Sequence, residues 1–288
     1  MKSALPILTV VLAILAAWYV AAALMNAPLQ RDQYANAGRT DYSTRDLIVD
    51  SLNMERPKLP GPHQIVVELY RLVFMTPPMS KRSLVYHGII TFEETVIGFL
   101  IGAVLGIGLA VVIVSVKWLE RSMMPWIVAS QTVPIIALAP MIVVILYQFN
   151  ITGIAPKAAI AAYLSFFPIT VGMVKGFRSP DPLQLDLMRT FSATRVQTFM
   201  KLRAPASAPL FFASMKIGAA AALVGAVVAE VTKSEDGGLG ARLLAGSYYG
   251  QTVQIWAALF AAAALSAALV GLVGLVGRIT ERRMGAHP

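Results

Sequence analysis

The chain has 288 residues, with 24 Lys and Arg against 15 Asp and Glu, a formal net charge of +9 and no cysteine. Apolar residues make up 57% and charged residues 14%, whereas soluble domains average about 45–50% and about 25%. This composition excludes disordered, collagenous and disulfide-stabilised chains, and the lack of cysteine excludes thiol catalysis, iron–sulfur clusters and cysteine zinc sites. It is typical of a polytopic membrane protein.

Six apolar segments are each long enough for a helix to cross the hydrocarbon core, which takes about 20 residues. They are 4–25, 89–116, 123–149, 154–177, 207–231 and 253–279. Strand-type alternation is absent from them, so we predict an all-α fold with about six transmembrane helices. Segment 4–25 exceeds the apolar region of a signal peptide and lacks a clean cleavage site after it, which indicates a retained N-terminal anchor, 1–25.

The stretch 26–85 is polar and is predicted to be a periplasmic loop before a five-helix core, 86–283. Within it, Gln64, Glu68 and Arg71 share one helical face, and a second face is apolar. The apolar face comprises Ile65, Leu69, Leu72 and Val73. This pattern predicts a short amphipathic helix in the membrane interface, and an ordinary helix packed on the bundle fits it equally well. The part 26–60 carries no pattern that assigns a role.

Six spans place both termini on one side of the membrane. Lysines and arginines concentrate in the connections on that side: Lys2, Lys117, Arg121, Lys175, Arg178, Arg189, Arg195, Lys201, Arg203, Arg278, Arg282 and Arg283. The short connections on the other side contain Lys157, Lys233 and Arg242. The positive-inside rule therefore predicts an inner-membrane protein with both termini cytoplasmic. This topology accounts for most of the positive charge without nucleic acid as a partner.

Small residues and prolines mark particular spans. Gly98, Gly102 and Gly106 repeat every four residues on one face of the second span, which predicts close helix packing. In the third span, Gln131 and Thr132 precede Pro134, and Pro140 follows. Two prolines remove helix N–H donors, so this span is predicted to be a broken helix beside a transport pathway, with a plain proline kink as the alternative.

Few ionisable residues fall inside the spans. Glu230 and Lys216 do, and such residues are functional hypotheses by default, with solvation of Glu230 and snorkelling of Lys216 as the alternatives. Glu93 and Glu94 are interpreted as the acidic first turn of a helix, since histidine and basic partners for an intramembrane protease are missing. Neither a P-loop nor a hydrolase or metalloprotease motif occurs, so the chain is predicted not to be an enzyme and to hold no metal or cofactor.

The basic connection after the fourth span contains two helix-start signals. Asp181 before Pro182 suits an N-cap and first turn, predicting a helix 182–191. Thr194 and Gln197 have capping-box spacing, predicting a second helix that ends before Pro205. The two helices would meet in a bend at 192–193.

This connection, 178–206, resembles the cytoplasmic EAA–G–LP loop of ABC importer permeases. The matching residues are Leu185-Asp186-Leu187-Met188-Arg189-Thr190-Phe191-Ser192-Ala193 and Leu202-Arg203-Ala204-Pro205. Asp186 stands where glutamate is usual, Leu187 and Met188 replace an alanine pair, Ser192 replaces the glycine, and Ala204 replaces the leucine before the proline. The resemblance implies that these residues couple the membrane subunit to the ATPase, with Asp186, Leu187, Met188, Arg189, Phe191, Ser192, Ala193, Ala204 and Pro205 in contact with it or shaping that contact.

Further motifs extend the resemblance over about 88–283. Segments 132–140, 165–168 and 237–240 resemble the subgroup that imports nitrate, sulfonates, taurine and pyrimidine-type precursors. This implies a type I-like permease fold in which Gln131, Thr132, Pro134, Pro140 and Glu230 belong to the translocation path or its gates. It also implies a second permease copy, two ATPase subunits that carry ATP and Mg²⁺, and a periplasmic or lipid-anchored solute-binding protein. A secondary transporter and, less well supported, an intramembrane enzyme are the competing interpretations.

Overall fold

The computed structural model describes residues 4–284, so Lys2 of the predicted basic side lies outside the described residues. Within this range every regular element is helical, which confirms the predicted all-α fold. The chain divides into two compact units. The first comprises Met1–His87 and Ala241–Ala261, and the second comprises Gly88–Gly240 and Ala262–Pro288. Helices α4 and α13 each contribute to both units.

The helices follow one another along the chain with short connections. They are α1 (Ala4–Asn36), α2 (Thr44–Leu52), α3 (Pro62–Tyr70), α4 (Leu84–Ser115), α5 (Lys117–Ser130), α6 (Ile135–Gln148), α7 (Ala155–Phe177), α8 (Pro182–Thr190), α9 (Arg195–Thr198), α10 (Ala204–Ala206), α11 (Ala208–Thr232), α12 (Leu239–Tyr248) and α13 (Thr252–Arg283). Two π-helical turns, Arg71–Met75 and Phe199–Arg203, follow α3 and α9.

Among the described residues, five helices are long and apolar enough to cross a membrane: α1, α4, α7, α11 and α13. The predicted third span forms two helices, α5 and α6, which are bent by 100° at their junction and count together as a sixth span. The break consists of the residues between Ser130, the last residue of α5, and Ile135, the first residue of α6. Pro134 is the N-cap of α6. Pro140 lies inside α6 without interrupting it.

In the first unit, α1 continues well beyond the predicted span 4–25. Asn26, Gln30 and Tyr34 follow at four-residue intervals and are all buried. This spacing places them on one helical face, and the Tyr34 hydroxyl is hydrogen-bonded to Asp50 of α2. Packing against α2 therefore keeps the chain helical through a polar stretch. Hydropathy alone predicts that the helix ends at residue 25.

Asn26 forms several hydrogen bonds to the polar stretch 26–60, for which the sequence predicts no role. Its side-chain amide donates to the carbonyls of Ser51 and Leu59 at 3.1 and 2.8 Å. Its carbonyl oxygen accepts from the backbone N–H groups of Lys58 and Leu59 at 2.8 and 3.1 Å. One buried side chain thus satisfies four backbone groups, one in the last turn of α2 and three in the irregular segment that follows it.

Helix α3 has a buried and an exposed side, but the residues on each side differ from those that the sequence pattern predicts. Ile65 and Leu72 are buried as expected, but Glu68 is buried beside them and accepts from Arg71 at 2.7 Å. The outward side is apolar and includes Val66, Val67, Tyr70, Phe74 and Met75. Glu68 and Arg71 help to line a polar cavity of about 580 Å³ within the first unit.

In the second unit, the glycine stripe of α4 faces α7. A Cβ on Gly98, Gly102 or Gly106 would lie 2.7–2.9 Å from carbonyl oxygens of α7. Those carbonyls belong to Ala158, Ala162 and Phe166, in the same order as the glycines. The two helices therefore run parallel, with their backbones in close contact.

Helix α11 packs on the other side of α7 in the opposite direction. A Cβ on Gly225 would lie 2.7 Å from Ala161 Cα, whereas one on Gly176 would lie 3.0 Å from Ser207 Cβ. The register is therefore antiparallel. Because α4 and α7 are parallel, the bent pair α5–α6 must return the chain to the side on which α4 begins. The pair thus accounts for one crossing, and this unit supports the six-span arrangement over the five-span one.

Candidate functional site

The connection 178–206 forms a capped helix followed by a tight bend. Asp181 accepts from the N–H of Leu183 at 2.8 Å, and Gln184 completes the capping box, so α8 begins where the sequence predicts. At its other end, the N–H groups of Ser192 and Ala193 donate to carbonyls of the last turn. This pattern is a Schellman motif, and it requires a left-handed residue after the helix.

Ser192 is that left-handed residue, with φ +50°. It is the position at which the resembling family has glycine, and glycine adopts this conformation without the steric cost that a Cβ brings. The bend of the family motif is therefore formed here, with serine in the strained position. Thr194 then caps α9 by accepting from the N–H of Gln197 at 3.2 Å.

The sequence predicts that the helical run after the bend ends before Pro205, but in the structure this run continues past the proline. After α9 the chain passes through the π-helical turn Phe199–Arg203 and directly into α10, which contains Pro205 in its first turn. In the π turn, Ala204 N–H donates to Phe199 O, one residue beyond the usual helical partner. The N–H that proline lacks is not needed in the first turn of the new helix, so the chain stays helical.

The connection 178–206 is rich in basic residues, yet it exposes several large apolar side chains to the surroundings. Leu183, Leu187, Phe191, Val196 and Met200 are all exposed, Phe191 to 73%. Among them, Asp186 and Arg189 form a surface ion pair at 2.7 Å. Of the predicted coupling residues, Asp186, Leu187, Arg189, Phe191 and Ser192 are exposed, Met188 and Ala193 are half-buried, and Ala204 and Pro205 lie at the base of the connection.

The base of the connection is anchored to the helices below it. Arg178 forms a two-bond ion pair with Glu120 of α5. Arg203 donates to the carbonyl of Phe177 at 2.9 Å, and the Phe177 and Phe199 rings lie 4.9 Å apart. The exposed surface is therefore held on a rigid base.

Of the residues expected along the pathway, Gln131, Thr132 and Pro134 lie at the break between α5 and α6, Pro140 follows inside α6, and Glu230 lies elsewhere, in α11. Thr132 and Pro134 are exposed at the break, and the Gln131 side-chain nitrogen is buried with no hydrogen-bond partner within residues 4–284. The Tyr163 hydroxyl of α7 donates to the carbonyl of Ser130, one of the groups that the break frees. The break is thus partly satisfied by a neighbouring helix, as backbone irregularity at membrane depth requires.

A group of charged residues, of which Lys157 and Glu94 are buried, joins α4, α7 and the segment after α11. Lys157 is 0% exposed and donates to Glu94 Oε1 at 2.8 Å, so α7 and α4 are joined by an ion pair. Lys157 Nζ also lies 3.7 Å from Asp236 Oδ2, and Lys233 Nζ lies 2.8 Å from the same oxygen. The hydrogen bond from Lys233 lowers the pKa of Asp236, which keeps this carboxylate ionised near neutral pH.

Glu230 is fully buried rather than solvated. It accepts from the Thr91 hydroxyl and from the N–H of Gly240, each at 2.6 Å. Gly238 has φ +109° and passes so close to the carboxylate that a Cβ there would overlap it. The glycine-rich segment before α12 is therefore shaped around this one carboxylate.

The sequence reading missed the pairing of Glu94 and Lys157. Glu94 is not in an exposed first turn but well inside α4, and Lys157 lies inside α7 rather than in a connection. The available signal was two opposite charges at the edges of apolar segments, which must be paired if they are buried. Lys216, by contrast, is half-buried beside Gly274 of α13. Within residues 4–284, no group of three or more His, Asp or Glu side chains could hold a metal ion.

The second unit thus combines close-packed apolar helices, a broken helix and a buried ion pair between α4 and α7. Residues 98–286 match the family described as the binding-protein-dependent transport system inner membrane component, and the chain belongs to this family. It is the permease component of an ABC importer, which sets aside the secondary transporter and the intramembrane enzyme.

Individual relatives carry different solutes in their names. The formylaminopyrimidine transport permease protein ThiX of Halalkalibacterium halodurans is 35% identical over 62% of this chain and 67% of its own length. The riboflavin transport system permease protein RibX of Chloroflexus aurantiacus is 32% identical over 42% of this chain and 44% of its own. The nitrate import permease protein NrtB of Synechococcus elongatus is 25% identical over 67% and 68%.

Proposed function

We propose that two copies of this chain form the translocation pathway of an importer whose ATPase subunits are separate chains. The exposed apolar surface of α8 and its bend carries this proposal, because a hydrophobic surface beside a fixed ion pair suits burial against a partner. ATP and Mg²⁺ belong to two ATPase subunits, and this chain needs no cofactor. A periplasmic or lipid-anchored binding protein delivers the solute.

The solute belongs to the nitrate, sulfonate or taurine, and pyrimidine-precursor group. The higher identity to a formylaminopyrimidine permease than to a nitrate permease favours the pyrimidine-type precursors within it. Gln131 and Thr132 at the break offer amide and hydroxyl groups to such a solute, Pro134 and Pro140 shape the path, and Glu230 braces the outer gate. The solute itself is selected by the binding protein.

Uptake by the reconstituted complex tests this function. The permease, its ATPase and its binding protein are placed in proteoliposomes that contain ATP, and labelled formylaminopyrimidine, nitrate and taurine are offered in turn. We expect uptake of one of the three, dependent on both ATP and binding protein. Equal uptake with ADP in place of ATP would contradict the proposal.

The chain lies in the inner membrane with both termini cytoplasmic, in our proposal. The basic residues around 178–206 and the parallel run of α4 and α7 support this orientation, because six crossings return the chain to its starting side. Residues 1–25 are then the anchor, 26–85 the periplasmic loop and 86–283 the core. The apolar outward face of α3 supports a position in the membrane interface.

Single cysteines can map this orientation, because the chain has none of its own. We expect cysteines at Asn36 and Ser247 to react with an impermeant thiol reagent added to intact cells. A cysteine at Gln197 is expected to react only after the membrane is opened. All three positions are exposed, so accessibility within the fold does not limit labelling. Labelling of Gln197→Cys in intact cells would invert the topology.

A further inference from the structure

The ion pair between Glu120 and Arg178 joins two elements that the proposed function uses separately. Arg178 directly follows α7 and begins the connection that carries the exposed surface of α8. Glu120 lies in the first turn of α5, the helix that ends at the break. Arg178 Nη1 donates to Glu120 Oε1 and Arg178 Nη2 donates to Glu120 Oε2, and this two-bond geometry is the most directional form of the interaction.

The pair is only partly shielded from water. The side chains of Arg178 and Glu120 are 42% and 27% exposed. Further along α5, Ile127 is buried in the same apolar cluster as Phe177 of α7. The pair is therefore a directional link between the end of α7 and the start of α5, and the apolar contact joins the same two helices beside it.

Helix α5 connects the pair to the break, and Pro125 lies inside this helix between the two. Glu120 lies near one end of α5 and Ser130 is its last residue. Beyond it, the chain turns by 100° into α6, and the Gln131 side-chain nitrogen is buried without a partner within residues 4–284. An unpaired buried donor carries a free-energy cost, so the polar groups at this bend are not fully satisfied in the arrangement described here.

We propose that the Glu120–Arg178 pair transmits movement of the 178–206 connection to the broken helix α5–α6, so that both are positioning residues for transport. Displacement of α8 by the ATPase moves Arg178, and the pair tilts α5 about the Ile127 contact. That tilt changes the angle at the break beside the pathway. This inference rests on the proposed function, since it needs an ATPase at α8.

Charge reversal and exchange test the link. Glu120→Arg, Arg178→Glu and the exchanged double variant are compared in proteoliposomes for solute imported per ATP hydrolysed. We expect each single reversal to keep its ATPase and its ATP hydrolysis but to lower import per ATP by about ten-fold, the size of a typical coupling between sites. The exchanged pair should restore most of the ratio. Arg282→Glu reverses an exposed arginine of α13, outside the pair, and serves as the control that should leave the ratio unchanged.

Several outcomes separate the possibilities. If the single reversals import normally per ATP, the pair is only a surface contact and the inference is wrong. If a reversal cannot be recovered from the membrane, the neutral variants Glu120→Gln and Arg178→Gln carry the same comparison. If the exchanged pair stays uncoupled while both singles are uncoupled, the two residues act independently and the link is overturned. An unmodified complex that imports without ATP would contradict the proposed function instead.

Discussion

Replacing Phe191 with alanine and Asp186 with lysine is expected to strip the ATPase from the purified complex and abolish uptake. Phe191 is the most exposed large apolar residue of the bend, and Asp186 forms an exposed ion pair with Arg189 on α8. Central anchors of an interface each contribute about 2 kcal/mol or more, so the double variant should weaken ATPase binding by about a thousand-fold. The ratio of ATPase to permease after affinity purification measures the loss.

Membrane insertion and pairing of the permease should be unaffected, because none of the α8 residues is buried within the chain. Phe149→Ala combined with Asp41→Lys is a matched control, since Phe149 is exposed to 71% and Asp41 is also exposed, yet neither belongs to the 178–206 connection. The control should retain its ATPase. Stoichiometric ATPase on the Asp186→Lys, Phe191→Ala variant would remove the coupling assignment.

Replacing Lys157 with methionine is expected to cost about 3–5 kcal/mol of stability, because a buried carboxylate is left without its cation. Glu94 would lose the 2.8 Å hydrogen bond from Lys157, and Asp236 would keep only Lys233. Heat denaturation of the detergent-purified protein should show a lowered midpoint and a reduced yield.

Two further variants identify the cause of that loss. Lys157→Met combined with Glu94→Met removes both charges and should recover most of the stability, since an apolar pair of similar size needs no desolvation of ions. Lys175→Met changes an exposed lysine of the same helix and should have little effect. A double variant as unstable as Lys157→Met alone would show that packing, not the unpaired charge, is responsible.

Local signals in the sequence predicted the capped helix α8, the start of α9 and the bend between them. The capping residues Asp181 and Thr194 lie next to the N–H groups they bind, so their effect depends on a few neighbouring residues. The bend at Ser192 forms although serine replaces glycine, because the two hydrogen bonds of the helix end hold the backbone there. The predicted end of the helical run before Pro205 was wrong. The run continues through a π-helical turn, which has no clear sequence signature.

Long-range pairing could not be predicted in the same way. Lys157 and Glu94 are 63 residues apart in sequence, and Thr91 and Glu230 are 139 apart. Each of these residues lies at the edge of an apolar segment, where the sequence is equally compatible with exposure to water. Only the packing of α4, α7 and α11 brings the partners together. The extension of α1 to Asn36 has the same origin, because it depends on burial against α2.

The sequence by itself determined the apolar spans, the small-residue stripe of α4 and the capped connection, because hydropathy, helical period and capping act over a few residues. The tertiary structure decided that α4 and α7 run parallel, that the proline-containing segment bends by 100°, and that one carboxylate lies in the glycine-rich turn. Those features depend on which backbones approach closely enough to exclude a side chain and on which buried charges find partners. Such contacts join residues far apart in the chain, so the stabilising partner is defined only once the helices have packed.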